Sequence, residues 1–334
     1  MNTRRIEHRY GYLRKLIDRR LEAVVGSHEP RDLMEGSRYV LHAPGKRIRS
    51  SLVILSCEAV GGQVKDALDA AVAIEMLHNF TLVHDDVMDN APSRRGRTTV
   101  HIKWDVNNAI LVGDTILGLA YRTLLQSTTN DIRRATRLFT DGVVDVCKGQ
   151  AFDLEYEQRP HITLREYYRM IGKKTGKLIT AATELGALLG NGTPKQIAAL
   201  RTFGRHVGRA FQIQDDLLDV VADEKDLGKR IGGDICEGKK TFLLVKALES
   251  TRGKDNVLLR SLGTRRPGSI SAGEQRGVVE EVTGIYVRCG AIEAARRQIR
   301  SETAAGIRSL SPLPASNARS TLRWMSEMLV QRTS

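Results

Sequence analysis

Apolar residues recur at helical spacing along almost the whole chain. Ile6, Tyr10, Leu13, Ile17, Leu21 and Val24 share one face, which predicts an amphipathic helix over residues 4–25. Arg31 to Leu41 reads as a second, short helix, and Ser51–Val60 as an apolar third that Gly61-Gly62 closes. A long helix is expected from Asp66 to Asp89, where Asn90-Ala91-Pro92 ends it. The pattern predicts further helices over Asn108–Ser127, Asp131–Gln158 and 195–222, and another beginning with Thr241–Leu248. Thr163 and Glu166 form a capping box that opens a helix running through Lys173-Lys174-Thr175-Gly176 and on to Leu189. Residues 274–309 and Pro314–Arg332 read as C-terminal helices, and Gly263 to Ser271 as the clearest internal loop. No strand pattern exceeds a few residues, and neither a fixed-period repeat nor a domain linker is visible. The expectation is one all-α domain, a helical bundle over residues 1–334.

Composition fits that picture. Of 334 residues, 41% are hydrophobic and only 5% aromatic, too few for a sheet-rich core of this size. No run reaches the ~18 apolar residues of a membrane span, so no integral membrane contact is expected. Met1 leads directly into charged helical sequence without a signal-peptide pattern, which points to the cytoplasm. Cys57, Cys147, Cys236 and Cys289 are widely separated and suggest neither a zinc site nor a disulfide frame. The net charge of +13 raises nucleic acid or an anionic surface as a partner. The cations are spread over the chain, however, and no nucleic-acid-binding motif accompanies them, so no nucleic acid is expected.

The candidate chemistry lies in two acidic triplets. Asp85 and Asp89 are four apart, about one turn or ~6 Å along one helical face, with Asp86 just to the side. They crowd the C-terminal end of their helix, where the macrodipole is already negative. Asp215, Asp216 and Asp219 repeat the spacing after another apolar segment. A single such triplet is commonly a solvated face; two of identical spacing favour a bound cation, and Mg²⁺ suits carboxylate and phosphate oxygens. Basic clusters accompany them. Lys46, Arg47 and Arg49 precede one helix, Arg94, Arg95 and Arg97 follow the first triplet, and Gly228-Lys229-Arg230 and Gly238-Lys239-Lys240 follow the second. These cations would hold phosphate oxygens, or else simply pair with the neighbouring acids.

No covalent nucleophile, metalloprotease motif or P-loop is present. Two acid clusters, a ring of cations and apolar helices suit a diphosphate with a hydrocarbon tail. Metal ions would stabilise the diphosphate as it leaves, and a dry cavity would protect a carbocation.

Taken together, Gly45-Lys46-Arg47-Ile48-Arg49, Asp85–Asp89, Arg94-Arg95-Gly96, Gly149-Gln150, Lys174-Thr175, Phe211-Gln212, Asp215–Asp219 and the two late lysines occur in the order seen in trans-isoprenyl diphosphate synthases. Over nearly its whole length the chain resembles that polyprenyl synthetase family. The resemblance implies the isoprenoid synthase fold around a central apolar cavity, a homodimer, and Mg²⁺, three ions per active site. It implies condensation of isopentenyl diphosphate with dimethylallyl, geranyl or farnesyl diphosphate. Asp85, Asp89 and Asp215 would bind Mg²⁺ directly, with Asp86, Asp216 and Asp219 supporting directly or through water. Arg94, Lys174 and Lys229 would grip the allylic diphosphate, and Lys46, Arg49, His78 and Arg95 the isopentenyl diphosphate. Thr175 and Gln212 would face the allylic cation, and Lys239 would close over the site.

The sequence departs from the family pattern at Ser50, where proline is usual, and Gly176, where alanine is frequent. In the family, bulky residues four or five places before the first triplet limit product length; here these are Thr81 and Phe80. Five residues is ~7.5 Å of helix rise. Phe80 lies roughly 140° round the helix from Asp85, a side wall, while Thr81 and Leu77 lie nearer the Asp85 face. Ordinary core packing is the plainer reading of Phe80. One aromatic there and no insertion in the triplet resemble geranylgeranyl synthases, so a C20 product is expected, with farnesyl or a longer product as the alternative. The rivals are a class I terpene cyclase, which lacks an isopentenyl site, and a non-catalytic partner subunit, which intact acidic triplets disfavour.

Overall fold

A computed structural model of the chain describes residues 3–26, 29–129, 131–222, 231–263 and 272–330. The described chain is helical almost throughout, as the hydrophobic pattern predicts. The first helices are α1 (Thr3–Val24), α2 (Arg31–Leu41), α3 (Ile48–Ala59) and α4 (Val64–Met88). A two-stranded hairpin, β1 (Ser93–Arg94) and β2 (Arg97–Thr98), and the single turn α5 (Val100–Lys103) lead to α6 (Val106–Leu124) and α7 (Ile132–Glu157). Next come α8 (Leu164–Ile171), a π-helical turn (Gly172–Gly176), α9 (Lys177–Leu189) and α10 (Pro194–Val221). The series ends with α11 (Gly233–Cys236), α12 (Phe242–Ser250), α13 (Gly253–Leu262), α14 (Ala272–Arg288), α15 (Ala291–Ser309) and α16 (Asn317–Val330).

Three local features depart from the sequence reading. The segment expected to be one helix over 274–309 is two, because Gly290 adopts φ 74 between α14 and α15, a C-terminal stop that costs glycine little. The basic loop after Asp89 contains the hairpin, with Arg94 paired to Arg97 and positive φ at Arg95 (53) and Gly96 (72). The helix α13 was not expected, and of the loop assigned to Gly263–Ser271 only Gly263, which caps α13, is among the described residues.

The chain divides into two compact units: residues 1–144, 178–204 and 309–325, and residues 145–177, 205–308 and 326–334. The helices α7, α9, α10, α15 and α16 contribute residues to both. In the first unit α4 is the central helix, packed most extensively against α6 and α3. It buries Ala67, Ala70, Ala71 and Ala73 as well as Ile74 and Leu77, and such small residues let neighbouring helices approach closely on several sides. Its Gln63–Asp66 capping box satisfies the first backbone donors. In the second unit one core joins Tyr167 and Met170 of α8, Ile213 and Leu217 of α10, Phe242 and Leu243 of α12, and Tyr286 of α14.

The π-helical turn is cradled by two glycines of the second unit. A Cβ on Gly149 of α7 would lie 2.2 Å from the Lys174 backbone nitrogen, and one on Gly208 of α10 2.7 Å from Gly176 Cα. The obstacle is backbone in both cases, so neither contact relaxes by a rotamer change. Gly149→Ala should therefore destabilise the protein by about 1–3 kcal/mol. Gly11→Ala in α1, where no heavy atom lies within 4 Å of the added carbon, should instead be neutral or stabilise by up to about 1 kcal/mol. Urea unfolding of the pair checks both signs, and equal effects would contradict the close approach.

Candidate active site

In the first unit the end of α4 carries the first triplet. Asp85 is half-buried and Asp89, the C-cap, is exposed, whereas Asp86 is only 6% exposed. Arg94 of the hairpin donates from Nε to Asp86 Oδ1 at 2.6 Å. Burial pushes the Asp86 carboxyl up, against the opposing pull of Arg94. For this pair the plainer reading of the basic loop holds: acid and arginine are joined in a salt bridge. A solvent-open pocket of about 420 Å³ runs beside them, with Asn79, Leu82 and Val83 among its walls and Arg94 and Arg95 on its lining.

The basic turn before α3 divides its cations. Arg47 sits in the left-handed region at φ 48 and is 4% exposed. Its guanidinium donates to Asp18 (2.8 Å), Glu75 (3.1 Å) and the carbonyls of Leu41 (3.1 Å) and Ala43 (3.0 Å). Ser50, the residue in the usual proline position, donates to Glu75 Oε2 at 2.8 Å. The conflict between cations and a helix N-terminus is thus met in part by the protein's own carboxylates. Tyr10 donates to the Lys46 carbonyl, and Arg95 donates to that of Pro44 at 3.2 Å, which draws the hairpin to the turn. Arg49 Nη1 lies 3.2 Å from His78 Nε2. Burial, and then Arg49, Arg95, Arg94 and Arg47, hold the His78 imidazole well below its usual range. A neutral ring accepting from Arg49 at Nε2 carries its proton on Nδ1.

Toward the start of α4, Thr81 donates to the His78 carbonyl at 2.8 Å and Leu77 is fully buried. Phe80 is 8% exposed and meets the His84 ring edge-on at 4.8 Å between centroids. His84 lies across α6, where a Cβ on Gly113 would fall 2.2 Å from its Nε2.

The second unit repeats the acidic arrangement. Asp215 and Asp219 on α10 are half-buried and Asp216 is 4% exposed. Asp216 Oδ1 accepts from Gln212 Nε2 (3.0 Å), and Oδ2 from the Tyr167 hydroxyl (2.7 Å) and the Phe242 backbone N–H (2.8 Å). Thr175 donates to Gln212 Oε1 at 2.7 Å. Asp219 Oδ2 accepts from the Asp234 N–H at 2.9 Å. Burial and then Asp219, Asp216 and Glu237 push the Asp234 carboxyl well up. Lys174 pairs with Asp153, and Lys239 with Glu157 at 2.6 Å. Lys240 turns inward to the carbonyls of Gly238 (3.1 Å) and Gly263 (2.6 Å), and burial pushes its ammonium down to about 8. Lys229 lies outside the described residues.

The polyprenyl synthetase family pattern matches residues 30–276. A short chain isoprenyl diphosphate synthase of Methanothermobacter thermautotrophicus is 40% identical, across 95% of this chain and 96% of its own. The chain belongs to the polyprenyl synthetase family. A geranylfarnesyl diphosphate synthase of Natronomonas pharaonis is 32% identical over 96% of both chains. A solved geranylgeranyl pyrophosphate synthetase from Pyrococcus horikoshii superposes with a TM-score of 0.92 at 36% identity, covering 98% of this chain and 99% of that one. The activity that goes with membership is trans-prenyl transfer, and the all-α fold is shared.

Prenyltransferases of this family generally use Mg²⁺, and the donor set here fits that ion. Each triplet keeps two carboxylates, at i and i+4, at least partly accessible, and turns the one between them to protein donors. Among the described residues no group of three or more acids, histidines or cysteines could cage a metal unaided. Mg²⁺ takes one or two carboxylates together with substrate phosphates and water, so an accessible pair is a sufficient protein contribution. The sequence reading missed the groups that hold the site from behind: Glu75 and Asp18 for Arg47, Tyr167 for Asp216, and Asp153 and Glu157 for the lysines. It assigned Gln150 no role. That amide is 8% exposed, with neither polar atom partnered among the described residues.

Arg47 and Glu75 are both 3% exposed at the side chain. Glu75→Ala removes the buried counter-charge of the guanidinium, leaving it the more exposed Asp18, and should cost about 3–5 kcal/mol in urea unfolding. Asp18→Ala, whose carboxylate is 47% exposed, should cost far less; equal costs would show that burial does not set the strength of this network.

Proposed function

We propose that this enzyme condenses isopentenyl diphosphate with allylic diphosphates, head to tail, to make an all-trans short-chain prenyl diphosphate, with geranylgeranyl diphosphate (C20) as the main product. The matching acidic triplets carry this reading: two partly accessible carboxylates each, on separate helices, with a chain of polar groups ending at Thr175 beside the second. Residues 1–334 would act as one catalytic domain, a reading supported by relatives matched along 95% of the chain. No helix among the described residues is long and apolar enough to cross a membrane, and cytoplasmic action fits that. A homodimer is supported by the exposed Ile102, Val106 and Ile110 at and before α6.

In the proposed reaction the C1–O bond of the allylic substrate breaks and diphosphate leaves with the electron pair. The isopentenyl double bond then adds to C1, and a proton passes to the departing diphosphate. Asp85, Asp89 and Asp215 would hold Mg²⁺, with Asp219 supporting; the metal, when bound, supplies positive charge to the leaving group. Lys174 and Arg94, with Lys229, would grip the same diphosphate. Lys46, Arg49, neutral His78 and Arg95 would receive isopentenyl diphosphate, and Lys239 would close over the site. Thr175 and Gln212 would present oxygen to the allylic cation. Phe80, buttressed by His84, would limit the length of the growing chain from the side, with Leu77 and Thr81 nearer the acid face.

Incubation with Mg²⁺, isopentenyl diphosphate and dimethylallyl, geranyl or farnesyl diphosphate, followed by product analysis, tests the reading. Extension ending mainly at C20 is expected, and no elongation from any primer would overturn it. Phe80→Ala should lengthen the main product by one prenyl unit or more. An unchanged product distribution in the folded variant would remove Phe80 as the gate.

A further inference from the structure

The polar chain behind Thr175 has a fixed direction. Asp216, when ionised, only accepts hydrogen bonds, so the Gln212 atom facing its Oδ1 must be the NH₂ group. That orientation turns Gln212 Oε1 toward Thr175, whose hydroxyl donates to it at 2.7 Å. With its proton committed, Thr175 retains its lone pairs for whatever lies on its other side. A flipped Gln212 would reverse this polarity and make Thr175 the acceptor. What prevents the flip is the fixed placement of Asp216. Its Oδ2 is held by the Tyr167 hydroxyl at 2.7 Å and by the Phe242 N–H at 2.8 Å. Tyr167 is 1% exposed, with its ring set against Tyr168 (5.7 Å) and Phe242 (5.9 Å), so its hydroxyl has no alternative direction.

We propose that Tyr167 is a positioning residue: through Asp216 and Gln212 it fixes the Thr175 hydroxyl so that oxygen lone pairs, not the proton, meet the allylic cation. The inference rests on the prenyl-transfer reading. It gives Asp216 a different task from that of Asp215, since both Asp216 oxygens serve this chain.

A double-mutant cycle tests it. Tyr167→Phe should lower kcat about tenfold, while KM for both substrates and the Mg²⁺ concentration giving half-maximal rate change less than twofold. On a Thr175→Val background the same substitution should cost less than twofold, because the hydroxyl it orients is gone. A merely structural tyrosine would produce the same factor on both backgrounds, and that result overturns the proposal, as does a wild-type kcat for Tyr167→Phe. Should Tyr167→Phe not fold, Asp216→Asn supplies the second arm. A fall in kcat with unchanged Mg²⁺ dependence, beside an Asp215→Asn variant whose Mg²⁺ dependence shifts, supports the assignment; equal shifts overturn it. A wild-type protein that elongates no primer defeats the functional reading itself. An active wild type with additive mutational losses defeats only the role of Tyr167.

Discussion

A carboxylate taken out of water has to be matched by donors, and that requirement organises both acidic triplets. At Asp86 the donor is the Arg94 guanidinium, carried in by a hairpin a few residues along the chain. At Asp216 the donors are a glutamine amide one turn back on the same helix, and a tyrosine hydroxyl and a helix-initiating backbone N–H from two other helices. In each case the middle acid pins its helix end to neighbouring structure, and the acids on either side of it remain partly accessible. Each triplet is therefore a buried anchor with a partly accessible carboxylate one residue before it and another three residues after it. The anchor also fixes the rotation of its helix, since i and i+4 share a face that the buried i+1 residue turns outward.

The basic turn obeys the same division. Of its three cations, Arg47 is spent on structure, with four acceptors around a nearly buried guanidinium. Because Arg47 is locked between Lys46 and Arg49, their backbone positions follow from its own. Ser50 strengthens this arrangement by donating its one hydroxyl proton to Glu75, the nearer of two acceptors beside it, so the departure from proline is used rather than merely tolerated.

Most of the helical framework was legible because apolar spacing near 3.6 is a strong signal over long segments. The break at Gly290 was not, since the apolar and basic periodicity continues smoothly from α14 into α15. Arg95-Gly96 hid its hairpin because arginine rarely takes the positive φ that an Asn-Gly turn would have announced. The π-helical turn keeps ordinary helical composition, and its cause lies in glycines well removed in sequence, Gly149 and Gly208. The acid positions were plain from spacing alone. Their unequal burial was not, because two of the three donors to Asp216 lie 49 and 26 positions away.

The net charge of +13 also reads differently once its partners are known. Along α7 the residues Asp145, Asp153 and Glu157 keep four-residue spacing with Gly149 between the first two. They pair in turn with Lys173 and Lys177, Lys174, and Lys239. Lys174, proposed to grip diphosphate, and Lys239, proposed to close over the site, are thus aimed by carboxylates rather than left to sample solvent. This lowers the rotamer entropy lost on binding an anion and, by the same pairing, weakens each lysine as a lone phosphate ligand. Lysines so paired would bind a bare diphosphate less tightly than one that arrives with its own cations. In the proposed function, cations held by the partly accessible carboxylates would meet that need, so acid and base around the second triplet would work together.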